Sequence, residues 1–405
     1  MTARELHEGD RGGGNHVSLV RWLYVLIYGS YGTTAIYRTL FFRRVGLDGA
    51  QIGLLIGLQP LVQIVAGPMW SLIADRFHLR SRLLTIVTGM SCLPMLGMFF
   101  CHSFPALVVW NILYALFMGP IQPLTDSIAL SALGRERYKY ASIRAFGSLG
   151  YAPVMWLTGY LIEGRDIRFI FWGYVLLMGS AALLSLRVRV EQQPLRASVT
   201  RGLASLVQSK PWRLFMMALF VTMMVQSVAF DYTGLYLDTL RASESVIGLS
   251  GALGSVSQTL IMLTVLPAML KGWGSRRLLL FALFVYGLRF AAQALLPVPW
   301  VVVASQVLVG FTFGASLVAA VDFADRHAPP GMAATSQALA TGLMSGLGRS
   351  AGGMVAGSLY DTVGPQRMFG LFGGISAFAL AVFGLLWQPW LAGDEEEPEA
   401  ERQMS

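Results

Sequence analysis

The second half of this chain repeats the first at a spacing of 195 residues, so whatever one half folds into, the other must fold into as well. Gln51-Ile52-Gly53-Leu54 returns as Val246-Ile247-Gly248-Leu249, and Arg80-Ser81-Arg82-Leu83-Leu84 returns as Ser275-Arg276-Arg277-Leu278-Leu279. Asn111-Ile112-Leu113, followed by Gly119, returns as Gln306-Val307-Leu308, followed by Gly314. The spacing then slips to 198: Ser148-Leu149-Gly150 meets Gly346-Leu347-Gly348, and Gly159 meets Gly357.

Both repeats read as lipid-embedded. Only 13% of the residues are charged, against about 25% in a soluble domain. Apolar runs of about 20 residues, enough to cross a bilayer, recur along the chain. We count twelve spans: 19–42, 50–74, 82–101, 104–134, 142–163, 168–188, 212–239, 245–270, 276–297, 299–326, 332–361 and 366–391. The expected fold is an all-α membrane protein with twelve transmembrane helices in two pseudo-symmetric six-helix bundles. Residues 1–18 form a cytoplasmic N-terminal tail, 19–188 the first bundle, 189–211 a cytoplasmic linker, 212–391 the second bundle and 392–405 an acidic cytoplasmic tail.

Alternate loops are rich in Lys and Arg, which makes that side, and both termini, cytoplasmic. The net charge of +8 sits mostly in these short loops. It is a topology signal, and nucleic acid is not an expected partner. The polar, mixed-charge first eighteen residues do not resemble a cleaved signal peptide. Cys92 and Cys101 read as buried thiols. His16, His78, His102 and His327 sit at termini or in loops. No metal-ligand or nucleophile cluster appears, so neither a metal, a cofactor nor an enzymatic activity is expected. No Gly-x-x-x-x-Gly-Lys-Ser/Thr loop for a motor ATPase is present.

Ionisable side chains inside spans cost about 2.5–3.5 kcal/mol each on insertion scales and persist where they face a cavity or a partner. Seven stand out: Arg38, Asp126, Arg144, Asp231, Arg289, Asp322 and Arg349. Asp126 and Arg144 lie nine residues before and after Arg135, the centre of a cytoplasmic hairpin. At about 1.5 Å per residue both are about 13 Å deep, at one level on neighbouring helices. They read either as a structural ion pair or as a solute clamp, with Arg144 offering a fork of donors and Asp126 accepting from hydroxyls or titrating. Tyr151, seven residues beyond Arg144, shares its face; its ring either stacks on a solute or packs in the core. Arg349 holds the repeat-equivalent place of Tyr151, and Arg289 lies near mid-depth of its span. Both are expected to face the same cavity, which then leans positive and favours a carboxylate or phosphate, unless Asp231 or Asp322 neutralises a cation. Arg38 and Asp231 hold nearly matching places in the outer half of their repeats and read either as a gating pair or as side chains snorkelling to the interface. Asp322, near Asp325, Arg326 and His327, reads as a loop-anchoring network.

These features resemble the major facilitator superfamily across essentially the whole chain. Its signature after the second span is matched in Asp75, Arg76 and Arg80, while Ser71 and His78 replace its two glycines. Those three charged residues are the expected cytoplasmic gate. Within the superfamily the chain is similar to the lactose permease-like branch, with its oligosaccharide, nucleoside and phenylpropionate permeases. The carrying segment is Arg144-Ala145-Phe146-Gly147-Ser148-Leu149-Gly150-Tyr151, with Asp126 eighteen positions before the arginine. The resemblance implies that Asp126, Arg144 and Tyr151 contact the solute, and that Arg289 assists proton release. Val309 and Thr312 replace the branch's tenth-span histidine and glutamate, and Val256 to Gln258 carry no carboxylate. Any proton coupling then falls to Asp126 or Asp231.

The expected function is secondary transport of a small polar, ring-bearing solute — sugar, nucleoside or aromatic acid — by alternating access, with proton symport one mode. An efflux antiporter and a non-transporting membrane receptor are the alternatives. The expected setting is a monomer in the plasma or inner membrane, its partners a small molecule, the lipid bilayer and, where coupled, protons.

Overall fold

A bilayer core offers no water to unpaired backbone groups, so an apolar chain crossing it must satisfy them internally, as a helix does. The computed structural model describes residues 3–76, 82–133, 140–188, 208–329 and 332–392, and these are helical almost throughout, with no strand. The first half comprises α1 (Ala3–Thr34), α2 (Tyr37–Arg44), α3 (Gly49–Arg76), α4 (Leu83–Phe100), α5 (Phe104–Met118), α6 (Ile121–Leu133), α7 (Tyr140–Ile162) and α8 (Phe169–Ser185). The second comprises α9 (Lys210–Ser227), α10 (Thr233–Thr239), α11 (Glu244–Thr264), α12 (Leu266–Leu295), α13 (Pro299–Ser305), α14 (Ala315–Arg326), α15 (Ala333–Gln337), α16 (Ser345–Thr362) and α17 (Pro365–Ala392). Pairing α1 with α2, α5 with α6, α9 with α10, α13 with α14 and α15 with α16 gives twelve passes among the described residues. Eight helical segments are long and apolar enough to cross a membrane by length and composition. The linker and acidic tail expected from the sequence fall largely outside the described residues. In α12, Gly274 takes φ 70°, a left-handed conformation that glycine adopts without a Cβ penalty; it lies in the turn expected between the eighth and ninth spans.

Two irregularities of the backbone recur across the repeat, while a third, the π-turn at Ala338–Met344, falls opposite continuous helix in α7. The first pass breaks at Ala35-Ile36 between α1 and α2, and the seventh contains a π-turn at Val228–Tyr232. Shifted back by 195, that turn covers 33–37. The fourth pass breaks at Gly119-Pro120, where proline supplies no N–H. The tenth contains a π-turn at Gly310–Gly314, which shifts back to 115–119.

Tertiary contacts repeat as well. Tyr37 Oη donates to the Met155 carbonyl (2.7 Å), and Tyr232 Oη donates to the Gly353 carbonyl (2.8 Å). The tyrosines are 195 apart and their acceptors 198 apart, the same slip seen in the sequence. Gly150 of α7 sits on the backbone of Val25, and Gly348 of α16 sits on the carbonyl of Phe220, so α1 meets α7, and α9 meets α16, at glycine without a side chain between.

The helices gather into two compact units. One holds α1 to α8 with Gly234–Val256; the other holds α9 through Thr233 and the helices from Ser257 onward. Gly234–Val256 belongs to the second repeat yet packs with the first unit, because small residues line that contact. A Cβ on Gly159 would meet the Glu244 carbonyl, one on Gly248 would lie 2.8 Å from the Met155 carbonyl, and one on Gly234 would lie 2.8 Å from the Ile36 carbonyl. Arg44, at the end of α2, ties the same region to Glu244 (2.5 Å) and Asp238 (3.6 Å). The second unit is centred on stacked aromatics: Phe215 lies parallel to Phe323 at 3.8 Å, with Trp212 and Trp387 buried beside them.

Candidate functional site

Three helices of the first unit carry its charged centre. α6 supplies Asp126, α7 supplies Arg144, and α1 supplies Tyr24, Tyr28 and Tyr31, spaced i, i+4, i+7 so that all three share one face. Arg144 Nη1 lies 3.5 Å from Asp126 Oδ1. Tyr24 Oη donates to the same carboxylate oxygen at 2.6 Å, and Arg144 Nη1 donates to Tyr28 Oη at 2.9 Å. The Tyr24 and Tyr28 rings stack at 5.9 Å, and the Arg144 guanidinium lies 5.8 Å from the Tyr28 ring centre. Side-chain exposure is 37% for Arg144 and 25% for Asp126, so both remain within reach of solvent or a solute. Two phenols of α1 thus hold an acid and a base, and Tyr140 at the start of α7 adds a further side-chain hydrogen bond to Asp126.

Tyr151 is half-buried; its carbonyl lies 2.6 Å from where a Cβ on Gly32 would sit. The aromatic ring next to Arg144 is Tyr28, which the sequence reasoning missed. Its signal was the tyrosine spacing on the first span.

The second unit holds a different pair. Arg349 Nη2 lies 3.7 Å from Asp231 Oδ2, the same oxygen that accepts from Ser227 Oγ at 3.0 Å. The guanidinium also lies 5.5 Å from the Phe230 ring centre. Asp231 sits in the π-turn Val228–Tyr232 with its side chain 10% exposed, whereas that of Arg349 is 36% exposed. Of the expected gating residues, Asp231 takes Arg349 within its own unit, and Arg38 donates to Gln59 Oε1 and lies 5.1 Å from the Tyr114 ring centre.

Arg289 also departs from expectation. It is 2% exposed and donates to Gln306 Oε1 at 2.7 Å, with its Nε enclosed and without an acceptor. It is walled in between α12 and the tenth pass, not open to a chamber. Within its own unit each of Arg144 and Arg349 has a carboxylate, and Asp231 is the one that neutralises Arg349, one of the two readings the sequence left open. Asp322 pairs with Arg326 at 3.0 Å, one turn apart at the end of α14, the anchoring network anticipated. Of the expected gate, Arg76 is exposed at the end of α3, while the Asp75 side chain and Arg80 lie outside the described residues. Among the described residues no group of three or more His, Cys, Asp or Glu is placed to hold a metal.

A twelve-pass helical chain with an internal repeat and buried, partly accessible charge pairs defines a membrane transporter. Its sequence matches the MFS_1 like family over residues 18–371, and the chain belongs to that family. It is 26% identical over 376 residues to the uncharacterized transporter YwbF of Bacillus subtilis, covering 91% of this chain and 92% of that one. It is 28% identical over 342 residues to the maltose permease of Geobacillus stearothermophilus, covering 84% and 86%. Among solved structures, a point mutant of the nucleoside transporter NupG superposes with a TM-score of 0.81 at 18% identity, covering 92% of this chain and all of that one. The chain is a multi-pass integral membrane protein and not an enzyme.

Proposed function

We propose that this protein carries a small polar, ring-bearing organic solute across the membrane by alternating access, and that Asp126 and Arg144 grip the solute. One observation carries the reading: an acid and a base on different helices, 3.5 Å apart and partly open, each held by a tyrosine of α1. Arg144 offers a planar fork of donors to ring or hydroxyl oxygens, and Asp126 accepts from hydroxyls. Because the two charges balance, the pair selects hydrogen-bonding pattern and not net charge. Tyr28 beside Arg144, and Tyr151 two turns further along α7, are the ring faces offered to the solute. A maltose permease and a nucleoside transporter among the similar proteins agree with a hydroxylated ring solute.

Coupling to protons, where it occurs, falls to Asp126 or Asp231. Asp231 is the more enclosed, and its arginine lies beyond hydrogen-bond reach, so Arg349 can leave it for a solute group. Both termini face the cytoplasm of a plasma or inner membrane, and the carrier works as a monomer.

The test is counterflow in proteoliposomes with labelled maltose, uridine and 3-phenylpropionate. Saturable exchange of at least one, abolished by Arg144→Gln, is expected. Exchange of none, or exchange indifferent to that change, overturns the reading.

A further inference from the structure

Arg38 is the anomaly of the first unit. It is a cation within a membrane pass, and among the described residues no carboxylate lies within ion-pair distance of it. Its neighbours are Gln59 and Tyr114, whose ring lies 5.1 Å from the guanidinium and whose hydroxyl hydrogen-bonds it. A membrane-embedded cation with no carboxylate at hand among the described residues is costly and marks a functional position by default.

Around Arg38 the acceptors are all neutral: Gln59 Oε1, the Tyr114 hydroxyl and the Met118 sulfur. Arginine has five N–H donors and no acceptor, so Gln59 must turn its oxygen to Arg38 and its amide nitrogen away. That nitrogen points to the thioether sulfur of Met118, at 3.2 Å. Gln63 Nε2 is drawn to the same sulfur, at 3.3 Å. One weak acceptor serves two amides. The cluster lacks a group with several strong acceptor lone pairs and a negative charge.

The cluster also faces the right way. Leu54, Val65 and Leu72 form the exposed apolar stripe of α3. At about 100° per residue, Gln59 lies about 140° and Gln63 about 180° around the helix from that stripe. Both amides, with Arg38 and Met118, therefore sit on the side of α3 turned away from lipid. Aromatic rings lead there from the clamp, since Tyr28 contacts Tyr31 at 5.7 Å and Tyr114 lies against Arg38.

We propose that Arg38, Gln59 and Gln63 form a second solute subsite that takes an oxyanion, specifically a carboxylate borne by the ring solute. This rests on the solute-carrier reading above and narrows it: the ring engages Asp126 and Arg144 through hydroxyls or ring atoms, and the acid engages Arg38. Arg38 then donates a forked pair of bonds to the carboxylate, and the two amides exchange a sulfur for an oxygen.

The experiment is thermal-shift titration of the purified protein with matched acid and neutral probes, glucuronate against glucose and 3-phenylpropionate against 3-phenylpropan-1-ol. In at least one pair the acid should bind the wild type about tenfold tighter than its neutral partner, the scale of one charge-assisted contact. Arg38→Gln should remove that advantage, lowering the acid's affinity far more than that of its neutral partner. Gln63→Leu, which keeps the cation, should reduce the advantage and gives the readout if Arg38→Gln fails to fold. No acid advantage in the wild type, or one that survives both substitutions, overturns the subsite. Neutral binding lost in Arg144→Gln but kept in Arg38→Gln would then leave the clamp standing on its own.

Discussion

Gly150→Ala tests whether helix packing sets the geometry of the clamp. A Cβ at that position would sit 2.8 Å from both the Cα and the carbonyl carbon of Val25, against ordinary contact of 3.4 Å or more. Both neighbours are backbone, so neither can rotate away, and α1 and α7 must part by about 0.6 Å at the least. Val25 lies between Tyr24 and Tyr28 on α1, and Arg144 lies under two turns from Gly150 on α7. The Arg144–Tyr28 bond of 2.9 Å would stretch to about 3.5 Å, the edge of hydrogen bonding. Losing a bond to a charged group costs about 1.5–3 kcal/mol, so the affinity of a clamp-bound probe should fall about 10- to 100-fold. Overpacking adds about 1–3 kcal/mol of destabilisation, visible as a lower melting temperature. Gly348→Ala imposes the equivalent clash in the second repeat, 2.6 Å from the Phe220 carbonyl; it should lower the melting temperature and spare clamp affinity. Gly179→Ala, with nothing within 4 Å, should do neither. The assay is probe titration by thermal shift. Wild-type affinity in Gly150→Ala would refute the link between this crossing and the site.

Three further outcomes are expected. Tyr37→Phe and Tyr232→Phe each remove one buried bond to a carbonyl, at about 1 kcal/mol, and should lower the melting temperature by similar amounts of about 2–4 °C; unequal effects would argue against repeat-equivalent roles. Asp231→Asn strands the partly buried Arg349, and Arg349→Gln strands Asp231, so the double variant should be more stable than the two single losses summed predict. Additive losses in a double-mutant cycle would show that the 3.7 Å pair contributes nothing. His327, just past the end of α14, has its pKa pushed down by burial and further by Arg276 and Arg326, against the opposing pull of the Phe323 carbonyl and Asp322. Its folded pKa lies below the unfolded value of about 6.5, so its contribution to stability is present above that pH and is lost as pH falls through it. The melting temperature should drop between pH 7.5 and 5, and His327→Gln should flatten the drop; an unchanged profile would exclude the histidine.

The repeat, the apolar runs and the hairpin between Asp126 and Arg144 were legible in the sequence because each depends on local periodicity or on a count of residues along a helix. The pairing of those two side chains needed only equal depth on adjacent antiparallel helices. Partner choice among distant charges was not legible. Arg38 and Asp231 hold matching places in the repeats, yet the π-turn at Val228–Tyr232 turns Asp231 toward α16 and so to Arg349, and a backbone bulge of that kind leaves no periodic trace. Arg289 reads as cavity-facing by depth alone; its enclosure follows from Gln306 on the next pass, which supplies the acceptor that makes burial tolerable. The tyrosine spacing of α1 went unread in the sequence, and its role emerges only when Asp126 and Arg144 arrive from other helices. The packing of Gly234–Val256 with the first unit likewise depends on glycines far apart in the chain.

The central claim is that Arg144 and Asp126 hold the solute and do more than lock helices together. Arg144→Lys keeps the charge and the ion pair while removing the forked donor geometry. With whichever of maltose, uridine and 3-phenylpropionate exchanges in wild-type proteoliposomes, this variant should fold normally yet lose at least tenfold in probe affinity and most of the exchange rate. Wild-type affinity and exchange in Arg144→Lys would contradict the clamp and leave the pair a structural tie.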